Sequence, residues 1–358
     1  MSRRRAWDAA RRVLAVRLDA LGDVLMTTPA LHAIRGIRPH RHLTLLTSAS
    51  GGAAARLVDD VDDVIVYDAP WLKATAPRTD SRQDLAMAAR LRLARFDAAV
   101  IFTVYSQNPL PAALLCFLAD IPQRLAHCRE NPYQLLTDWV PDTEPAETIR
   151  HEVRRQLDLV AHVGWTTDDE RLRVSIPEAA RASVRARLQR FGIARGREWV
   201  VVHPGASASS RRYPAEGFAA ACARLAEERG SLPIFTGDRG EQELVEKVRA
   251  GLGGPSISLA GELSLAELTA LIAEAPLLIS NNTGPVHLAA AVGTPVVDLY
   301  ALTNPQHTPW AVPHRVLSHD VPCRNCYKSV CPAGHHLCLR GVSPDDVVSA
   351  AHELLGPR

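Results

Sequence analysis

The segment LISNNTGPVHLAAAVGTPVV, residues 278–297, constrains the fold more than any other part of the chain. A short apolar strand is predicted over Pro276–Ser280, and the polar turn Asn281–Gly284 follows it. A helix of small residues is predicted over Pro285–Val292, and a second strand over Pro295–Tyr300. The proline that opens the helix is tolerated because N–H groups in a first helical turn have no partner within the helix. This order predicts a β-α-β unit of an open α/β sheet.

The polar turn in this segment is a candidate binding site. Either Thr283 or Asn282 can cap the helix, and the remaining N–H groups of its first turn point beyond the carboxyl end of the strand. Anions and sugars bind at such positions in open α/β sheets. An ordinary capped connection between a strand and a helix has the same pattern, so this segment alone leaves both interpretations open.

The same alternation of apolar strands and helices runs along the rest of the chain. Further strands are predicted over Val13–Leu18, His42–Thr47, Asp63–Tyr67, Ala98–Val104, Trp199–His203, Leu232–Thr236 and Ser256–Leu259. The polar segment Gly164–Pro177 has no clear periodicity and is the predicted linker. We therefore predict two doubly wound α/β domains, residues 1–170 and 178–343, with a last helix in 344–358 and a ligand cleft between facing sheets.

Composition narrows the class of protein. The chain has 358 residues, of which 47% are hydrophobic and 22% charged, as in soluble globular proteins. A net charge of +2 argues against a nucleic-acid binder. No apolar run approaches the roughly 20 residues that span a bilayer. We expect a cytoplasmic protein.

The N-terminal segment MSRRRAWDAARR is charged and has no apolar stretch of the kind found in signal peptides. Its five arginines favour a solvated tail. Peripheral contact with an anionic membrane surface is the alternative.

The loop His203–Pro214, HPGASASSRRYP, follows a predicted strand and has the residue types of a phosphate site. Its glycine permits close backbone approach, its serines donate hydrogen bonds, and Arg211 and Arg212 supply charge suited to bidentate phosphate binding. The GxxxxGK[ST] spacing of a Walker A loop is absent. A solvated basic turn is the structural alternative.

A second turn, TGDRGE over Thr236–Glu241, also joins a strand to a helix. An acidic side chain just past a strand can bind ribose hydroxyls, and Asp238 and Glu241 are placed to do so. Glu241 could equally be a first-turn carboxylate that stabilises its own helix.

Four motifs together resemble glycosyltransferase family 9, the ADP-heptose heptosyltransferases of lipopolysaccharide core assembly. They are RLDALGDVLMTTPALHAIR (Arg17–Arg35), HPGASASSRRYPAEGF (His203–Phe218), FTGDRGEQE (Phe235–Glu243) and SNNTGPVHLAAAVGTPVV (Ser280–Val297). The resemblance implies a GT-B fold with two Rossmann-like domains and an inverting single displacement. It also implies an acceptor site on the first domain, a nucleotide-sugar site on the second, and a last helix that packs back on the first domain.

In this family pattern, Asp23 matches the catalytic base, which takes the proton of the acceptor hydroxyl. Gly22 and Arg17 lie in the same motif and are expected on the acceptor side. The structural alternative for Asp23 is a helix cap, and the two roles are compatible. The resemblance implies no catalytic cofactor, because Arg211 and helix N-termini can neutralise the leaving diphosphate.

The resemblance also implies a set of donor-binding residues on the second domain. They are Ser207, Arg211, Gly237, Asp238, Glu241, Asn282, Thr283, Gly284 and His287. His287 could instead be a packing residue of its helix. Many relatives have Asp where this chain has Asn282, and an amide can donate hydrogen bonds as well as accept them. A different heptose isomer or another ADP-sugar therefore stays open.

Four cysteines, Cys323, Cys326, Cys331 and Cys338, lie within sixteen residues near His335 and His336. Thiolates at close spacing suit a closed tetrahedral metal site, so structural zinc is our first expectation and iron the second. Four thiols without a metal are the alternative. The other cysteines are predicted to be buried small hydrophobes.

The function that these observations favour is heptose transfer from ADP-heptose to a saccharide or lipid acceptor. A protein or natural-product acceptor and a non-catalytic nucleotide-sugar-binding module are the alternatives. A dehydrogenase is disfavoured because LDALGD, not GxGxxG, follows the first strand.

Overall fold

The computed structural model describes residues 3–36, 40–73, 75–193 and 198–357. The chain divides into two compact units, Met1–Arg173 and Val174–Arg358. The division falls inside the predicted linker Gly164–Pro177, a polar segment without helix or strand.

The first unit is built around a parallel sheet with the order β3-β2-β1-β4-β5-β6. Its strands are β1 (Arg12–Arg17), β2 (His42–Thr47), β3 (Asp63–Val66), β4 (Ala98–Ile101), β5 (Gln123–Cys128) and β6 (Asp138–Pro141). Its helices are α1 (Arg3–Ala9), α2 (Leu21–Gly36), α3 (Ala49–Ala55), α4 (Arg82–Ala94), α5 (Leu110–Leu118) and α6 (Glu152–Ala161). This is the strand order of a doubly wound Rossmann-like sheet.

The second unit repeats this topology, with the order β12-β11-β10-β7-β8-β9 and every pair parallel. Its strands are β7 (Trp199–His203), β8 (Leu232–Phe235), β9 (Ile257–Ser258), β10 (Leu278–Asn281), β11 (Val296–Leu299) and β12 (His314–Leu317). Its helices are α7 (Glu178–Arg190), α8 (Ala215–Arg229), α9 (Gln242–Leu252), α10 (Leu265–Glu274), α11 (Gly284–Val292), α12 (Leu337–Arg340) and α13 (Pro344–Leu355). The expected α/β fold of two Rossmann-like, doubly wound domains is confirmed.

The central strands of both sheets are buried on both faces, as continuous apolar runs such as VLAV in β1 and WVVV in β7 require. Each fully buried Val or Leu stabilises the fold by about 1.5–3 kcal/mol relative to an exposed one. In each sheet the strand order reverses at one point, between β1 and β4 in the first sheet and between β7 and β10 in the second. Ligands bind beyond the carboxyl ends of strands at these switch points.

The N-terminal segment differs from the expected solvated tail. Helix α1 carries Trp7, whose side chain is only 1% exposed and donates from Nε1 to Asp138 Oδ2 at 3.0 Å. The Trp7 ring also makes an edge-on contact with Trp165, with centroids 5.4 Å apart. A tryptophan in the segment anchors it to the first unit, so the expectation of a solvated tail is wrong for its described part; Met1 and Ser2 lie outside the described residues.

The last helix, α13, begins at a capping box in which Ser343 accepts from Asp346 N. Its buried residues Val347, Val348 and Ala351 belong to the core of the second unit, where the helix packs against α8, β11 and β12. The packing of this helix on the first domain, which the family resemblance implies, stays a prediction. Among the described residues, we find no helix with both the length and the apolar character needed to cross a bilayer.

Candidate active site

Asp23 lies in the first turn of α2, directly beyond the carboxyl end of β1. One carboxylate oxygen, Oδ2, accepts a hydrogen bond from Ala20 N at 3.1 Å. The other, Oδ1, accepts from Arg17 Nη2 at 3.0 Å. The side chain is 18% exposed. Asp23 is therefore held in one orientation while part of its carboxylate remains accessible.

Arg17 is the last residue of β1 and its side chain is completely buried. Its Nε lies 3.0 Å from Asp19 Oδ2, and its Nη1 lies 2.8 Å from Glu152 Oε1. With the Asp23 contact, one guanidinium meets three carboxylates. Burial disfavours its charge, yet the three carboxylates raise its pKa above the ordinary value. The prediction places Arg17 on the acceptor side. In the structure its side chain has no exposure and contacts these three carboxylates instead.

Asp19 is the second accessible carboxylate of this cluster, with 14% of its side chain exposed. Its Oδ1 accepts from Gln107 Nε2 at 2.5 Å, a contact that bridges the loops after β1 and β4 at the switch point. Burial, with a contribution from nearby Asp23, raises the pKa of Asp19 to about 6, and Arg17 opposes this shift.

A cavity of about 370 Å³ opens beside Asp19 in the first unit. Its lining combines apolar and aromatic side chains with polar ones, including Trp71, Phe102, Lys73, Ser106, Gln107 and Asn108. All of these residues lie in loops or at the ends of elements that follow β1, β3 and β4. The volume and mixed lining are typical of small-molecule sites.

In the second unit, the loop after β7 passes close to the turn after β8. A Cβ atom on Gly205 would lie 2.0 Å from Glu241 Oε1, so only glycine permits this approach. Glu241 accepts from Asp238 N at 2.9 Å and forms a capping box with Asp238. Burial raises the pKa of Glu241. The helix-stabilising role considered for Glu241 is therefore present, and its carboxylate also lies against the candidate phosphate loop, with Gly237 beside it.

His203 ends β7, and its Nε2 lies 3.7 Å from Oε2 of Glu241. Its Nδ1 is 3.0 Å from Thr236 Oγ1. Burial lowers the pKa of His203 to about 4, so the ring is neutral at pH 7. The contact with Glu241 is thus not an ion pair at neutral pH.

Asn281 joins the two loops that flank the switch point of the second sheet. Its Nδ2 donates to Pro204 O at 2.7 Å, and its Oδ1 accepts from Tyr213 N at 2.9 Å. Since Asn281 ends β10, this side chain fixes the phosphate loop to the segment of residues 278–297.

The Asn282 amide is oriented by two acceptors. Its Nδ2 donates to Asp298 Oδ2 at 2.9 Å and to His307 O at 2.9 Å. Because both N–H bonds are used, the planar amide leaves Oδ1 as its accepting group. Asp298 is completely buried in β11, and burial raises its pKa to about 8, with Asn282 opposing the shift.

Helix α11 begins at Gly284 without a capping bond from the side chain of Thr283. Thr283 Oγ1 donates to Asn281 O at 3.2 Å, and the Asn282 amide is engaged as described. Neither side chain caps the helix, contrary to our expectation. His287 is 4% exposed in the first turns of the same helix, so the packing role considered for it is present.

Ser207 is exposed and Arg211 ends a short 3-10 turn, Ser209–Arg211, in the phosphate loop. The cysteine-containing segment supports this turn: Ser210 Oγ donates to Lys328 O at 2.8 Å, and Ser210 N to Ser329 O at 3.2 Å. The segment therefore packs against the loop that carries the candidate donor residues.

The four cysteines Cys323, Cys326, Cys331 and Cys338 do not form the expected metal site. Within the described residues, no group of three or more His, Cys, Asp or Glu side chains converges as metal ligands do. Cys323 Sγ and His335 Nε2 lie 3.7 Å apart. The donor set thus does not fit zinc or iron in this arrangement, and the metal expectation is unsupported. Cys116, Cys128 and Cys222 are buried, as predicted.

The residues of these clusters that were not predicted as site residues include Asp19, Gln107, Glu152, Asn281 and Asp298. Asp298 had a signal, because it is a lone carboxylate in the apolar strand VVDLY. Glu152 had none, since it reaches Arg17 only through the packing of α6 against α2.

Comparison with known proteins agrees with this architecture. The chain is 24% identical over 362 residues to the lipopolysaccharide heptosyltransferase 2 of Salmonella typhimurium, covering 96% of this chain and 98% of the relative. A glycosyl transferase family 9 structure from Veillonella parvula matches with a TM-score of 0.79 and 23% identity, covering 96% and 97%. The E. coli ADP-heptose lps heptosyltransferase II matches with a TM-score of 0.74 and 22% identity, covering 96% and 98%.

The family model for glycosyltransferase family 9 (heptosyltransferase) matches residues 85–337, which is more than half of the chain. The match contains the phosphate loop, the turn after β8 and the polar turn before α11. The chain therefore belongs to glycosyltransferase family 9.

Proposed function

We propose that this glycosyltransferase moves a heptose from ADP-heptose to a saccharide or lipid acceptor of the lipopolysaccharide core type, with inversion at the sugar. The observation that carries the proposal is Asp23, a partly exposed carboxylate fixed by Arg17 and Ala20 N at the switch point of the first sheet. The names of the Salmonella and E. coli proteins support the choice of heptose and of ADP.

Asp23 is the proposed general base. As the acceptor oxygen attacks C1 of the heptose, the carboxylate takes the hydroxyl proton. The bond between C1 and the diphosphate oxygen breaks, and ADP leaves with the electron pair from the opposite face. A positioned base contributes about 10²–10⁴-fold to the rate of such a step. Arg17 does not touch the acceptor in this proposal; it is a positioning residue that orients Asp23.

The donor is proposed to bind the second unit at its switch point. Ser207, Arg211 and the first turn of α11 at Thr283 and Gly284 would hold the diphosphate, since backbone N–H groups and a guanidinium favour an anion there. Glu241 and Asp238 would accept hydrogen bonds from ribose hydroxyls, with Gly237 allowing close approach. Asn282 Oδ1 would accept from a hydroxyl of the transferred sugar, and His287 would line the same pocket.

No metal takes part in the proposed step, because Arg211 and helix N–H groups supply the charge that neutralises the leaving ADP. The acceptor is proposed to bind the first unit, on the side of Gly22 and Asp23. Asp19, which shares Arg17 with Asp23, lines the cavity of this unit.

The test is nucleotide selectivity followed by transfer. We expect calorimetry to show ADP binding at least tenfold tighter than UDP or GDP, a difference of about 1.4 kcal/mol. Incubation with ADP-heptose and a deacylated lipopolysaccharide core oligosaccharide should add one heptose by mass spectrometry, in EDTA as well as in Mg²⁺. Preference for UDP or GDP would contradict the donor, and loss of transfer in EDTA that Mg²⁺ restores would contradict the metal-free step.

A further inference from the structure

We infer that Asp19 is an acceptor-binding carboxylate that lies in the first-unit cavity and holds one hydroxyl of the acceptor sugar while Asp23 faces another. This inference rests on the proposed function and deepens it. Among the carboxylates in contact with Arg17, Asp19 is the one that lines the cavity.

The residues that line the cavity favour a saccharide as its ligand. Trp71 is half-buried and presents an aromatic face, while Ile101 and Phe102 line the cavity but are almost completely buried. Ser106, Gln107 and Asn108 present hydrogen-bonding groups on the same cavity of about 370 Å³. A sugar ring has both kinds of surface, because its C–H faces pack on aromatic rings and its hydroxyls need polar partners. A purely apolar acyl chain would leave the polar groups of this lining without partners.

Two contacts hold the Asp19 carboxylate in place before a ligand binds. Oδ2 forms an ion pair with Arg17 Nε at 3.0 Å, and Oδ1 accepts a hydrogen bond from Gln107 Nε2 at 2.5 Å, so both oxygens have a partner before the ligand binds. An ionised carboxylate accepts up to about four hydrogen bonds, so each oxygen keeps the capacity for one more. The partly exposed edge faces the cavity rather than bulk protein.

The shared guanidinium links Asp19 to the reacting group. Arg17 contacts Asp19 through Nε and Asp23 through Nη2, and the planar guanidinium keeps these two nitrogens at a fixed separation. Glu152, which has no exposure, fixes the third corner through Nη1. The pKa of Asp19, raised by burial to about 6, leaves it mainly ionised at pH 7.5 and able to accept. A hydroxyl bound at Asp19 would therefore place its sugar at a defined distance from Asp23.

The experiment compares Asp19→Asn with Asp23→Asn in steady-state transfer of heptose from ADP-heptose to the deacylated core oligosaccharide. Asp19→Asn keeps the shape but replaces one accepting oxygen with a donor. We expect the acceptor KM to rise roughly 10–100-fold, as loss of a hydrogen bond to a charged group implies. The kcat should fall less than tenfold and the KM for ADP-heptose should stay within twofold. Asp23→Asn should show the opposite division, with kcat lost and acceptor KM kept.

Asp63→Asn is the matched control, because it removes a carboxylate from the exposed edge strand β3 of the same unit, where it pairs with His42. It should behave as wild type. An unchanged acceptor KM in Asp19→Asn, or a loss confined to kcat, would overturn the inference.

Two further measurements keep the inference testable. If Asp19→Asn does not fold, Gln107→Leu removes the amide that fixes Oδ1, and an acceptor KM equal to wild type would overturn the assignment. If wild type shows no transfer, the proposed function fails on its own, and calorimetry with the same oligosaccharide still tests Asp19. Equal affinity of wild type and Asp19→Asn, or no binding to either, would then reject it.

Discussion

In each candidate site, one buried ionisable side chain orients a site residue, and Arg17 does so in the first unit. Its guanidinium has no exposure and meets three carboxylates, of which Asp23 and Asp19 stay partly accessible. In the second unit the corresponding element is Asp298, which lies buried beneath Asn282 and orients its amide. In each case a buried ionisable residue orients a candidate site residue.

Asp298 gives a prediction at this scale. An Asp in the unfolded chain ionises near pH 4, whereas the pKa of Asp298 in the folded protein is about 8. Between these values the unfolded state binds fewer protons, so this residue makes stability fall as pH rises from about 4 to 8. Asp298→Asn cannot ionise, and its amide oxygen can still accept from Asn282. We therefore expect the Tm of the variant, relative to wild type, to increase steadily from pH 5 to pH 8.

Thermal melts of both proteins in matched buffers measure this difference, and groups other than Asp298 cancel in the comparison. A Tm difference that does not change with pH would mean that Asp298 is already ionised in the folded protein at pH 5.

At the scale of elements, the loop after β7 contacts the turn after β8 closely. Gly205 and Glu241 approach so closely that a side chain at 205 must displace the carboxylate. Gly205→Ala should weaken ADP binding, because Glu241 loses its position, and should change the free energy of unfolding by no more than about 1 kcal/mol, because the displaced group is the far end of a flexible side chain. Chemical denaturation and calorimetry measure the two effects.

Gly254→Ala is the control for that change, since no atom lies within 4 Å of the Cβ position at Gly254. It should change the unfolding free energy by less than about 0.5 kcal/mol. Equal stability and equal ADP affinity in Gly205→Ala and wild type would contradict the close approach of the two loops.

The sequence predicted the long, strongly periodic elements of this fold. Strands His42–Thr47 and Trp199–His203 were predicted with their observed bounds, because apolar runs are local signals. Strands β5, β6 and β12 were missed. Their sequences, QRLAHC, DWVP and HRVL, are short and carry polar residues or proline, and their pairing with neighbouring strands decides their conformation.

The candidate sites were predictable only in part for the same reason. Asp23 and the phosphate loop stand in recognisable local motifs, and the structure places each at a switch point. The partners that fix them come from distant positions: Glu152 for Arg17, Gln107 for Asp19 and Asp298 for Asn282. Only the folded sheets bring these side chains together.

At the scale of the whole molecule, the chain contains the same Rossmann-like sheet order twice. Each unit places its polar cluster at the same topological point, beyond the carboxyl ends of the two strands where the order reverses. Duplicate topology with different loops allows one unit to bind a saccharide and the other a nucleotide sugar, which is the division of labour proposed here.

We propose that this molecule transfers heptose with Asp23 as its general base. The most direct test of this proposal is the rate of heptose transfer from ADP-heptose to the deacylated core oligosaccharide by wild type and by Asp23→Asn, with ADP affinity measured on both by calorimetry. We expect a loss of about 10²–10⁴-fold in kcat with ADP affinity within twofold of wild type. A variant that transfers heptose at the wild-type rate would contradict it.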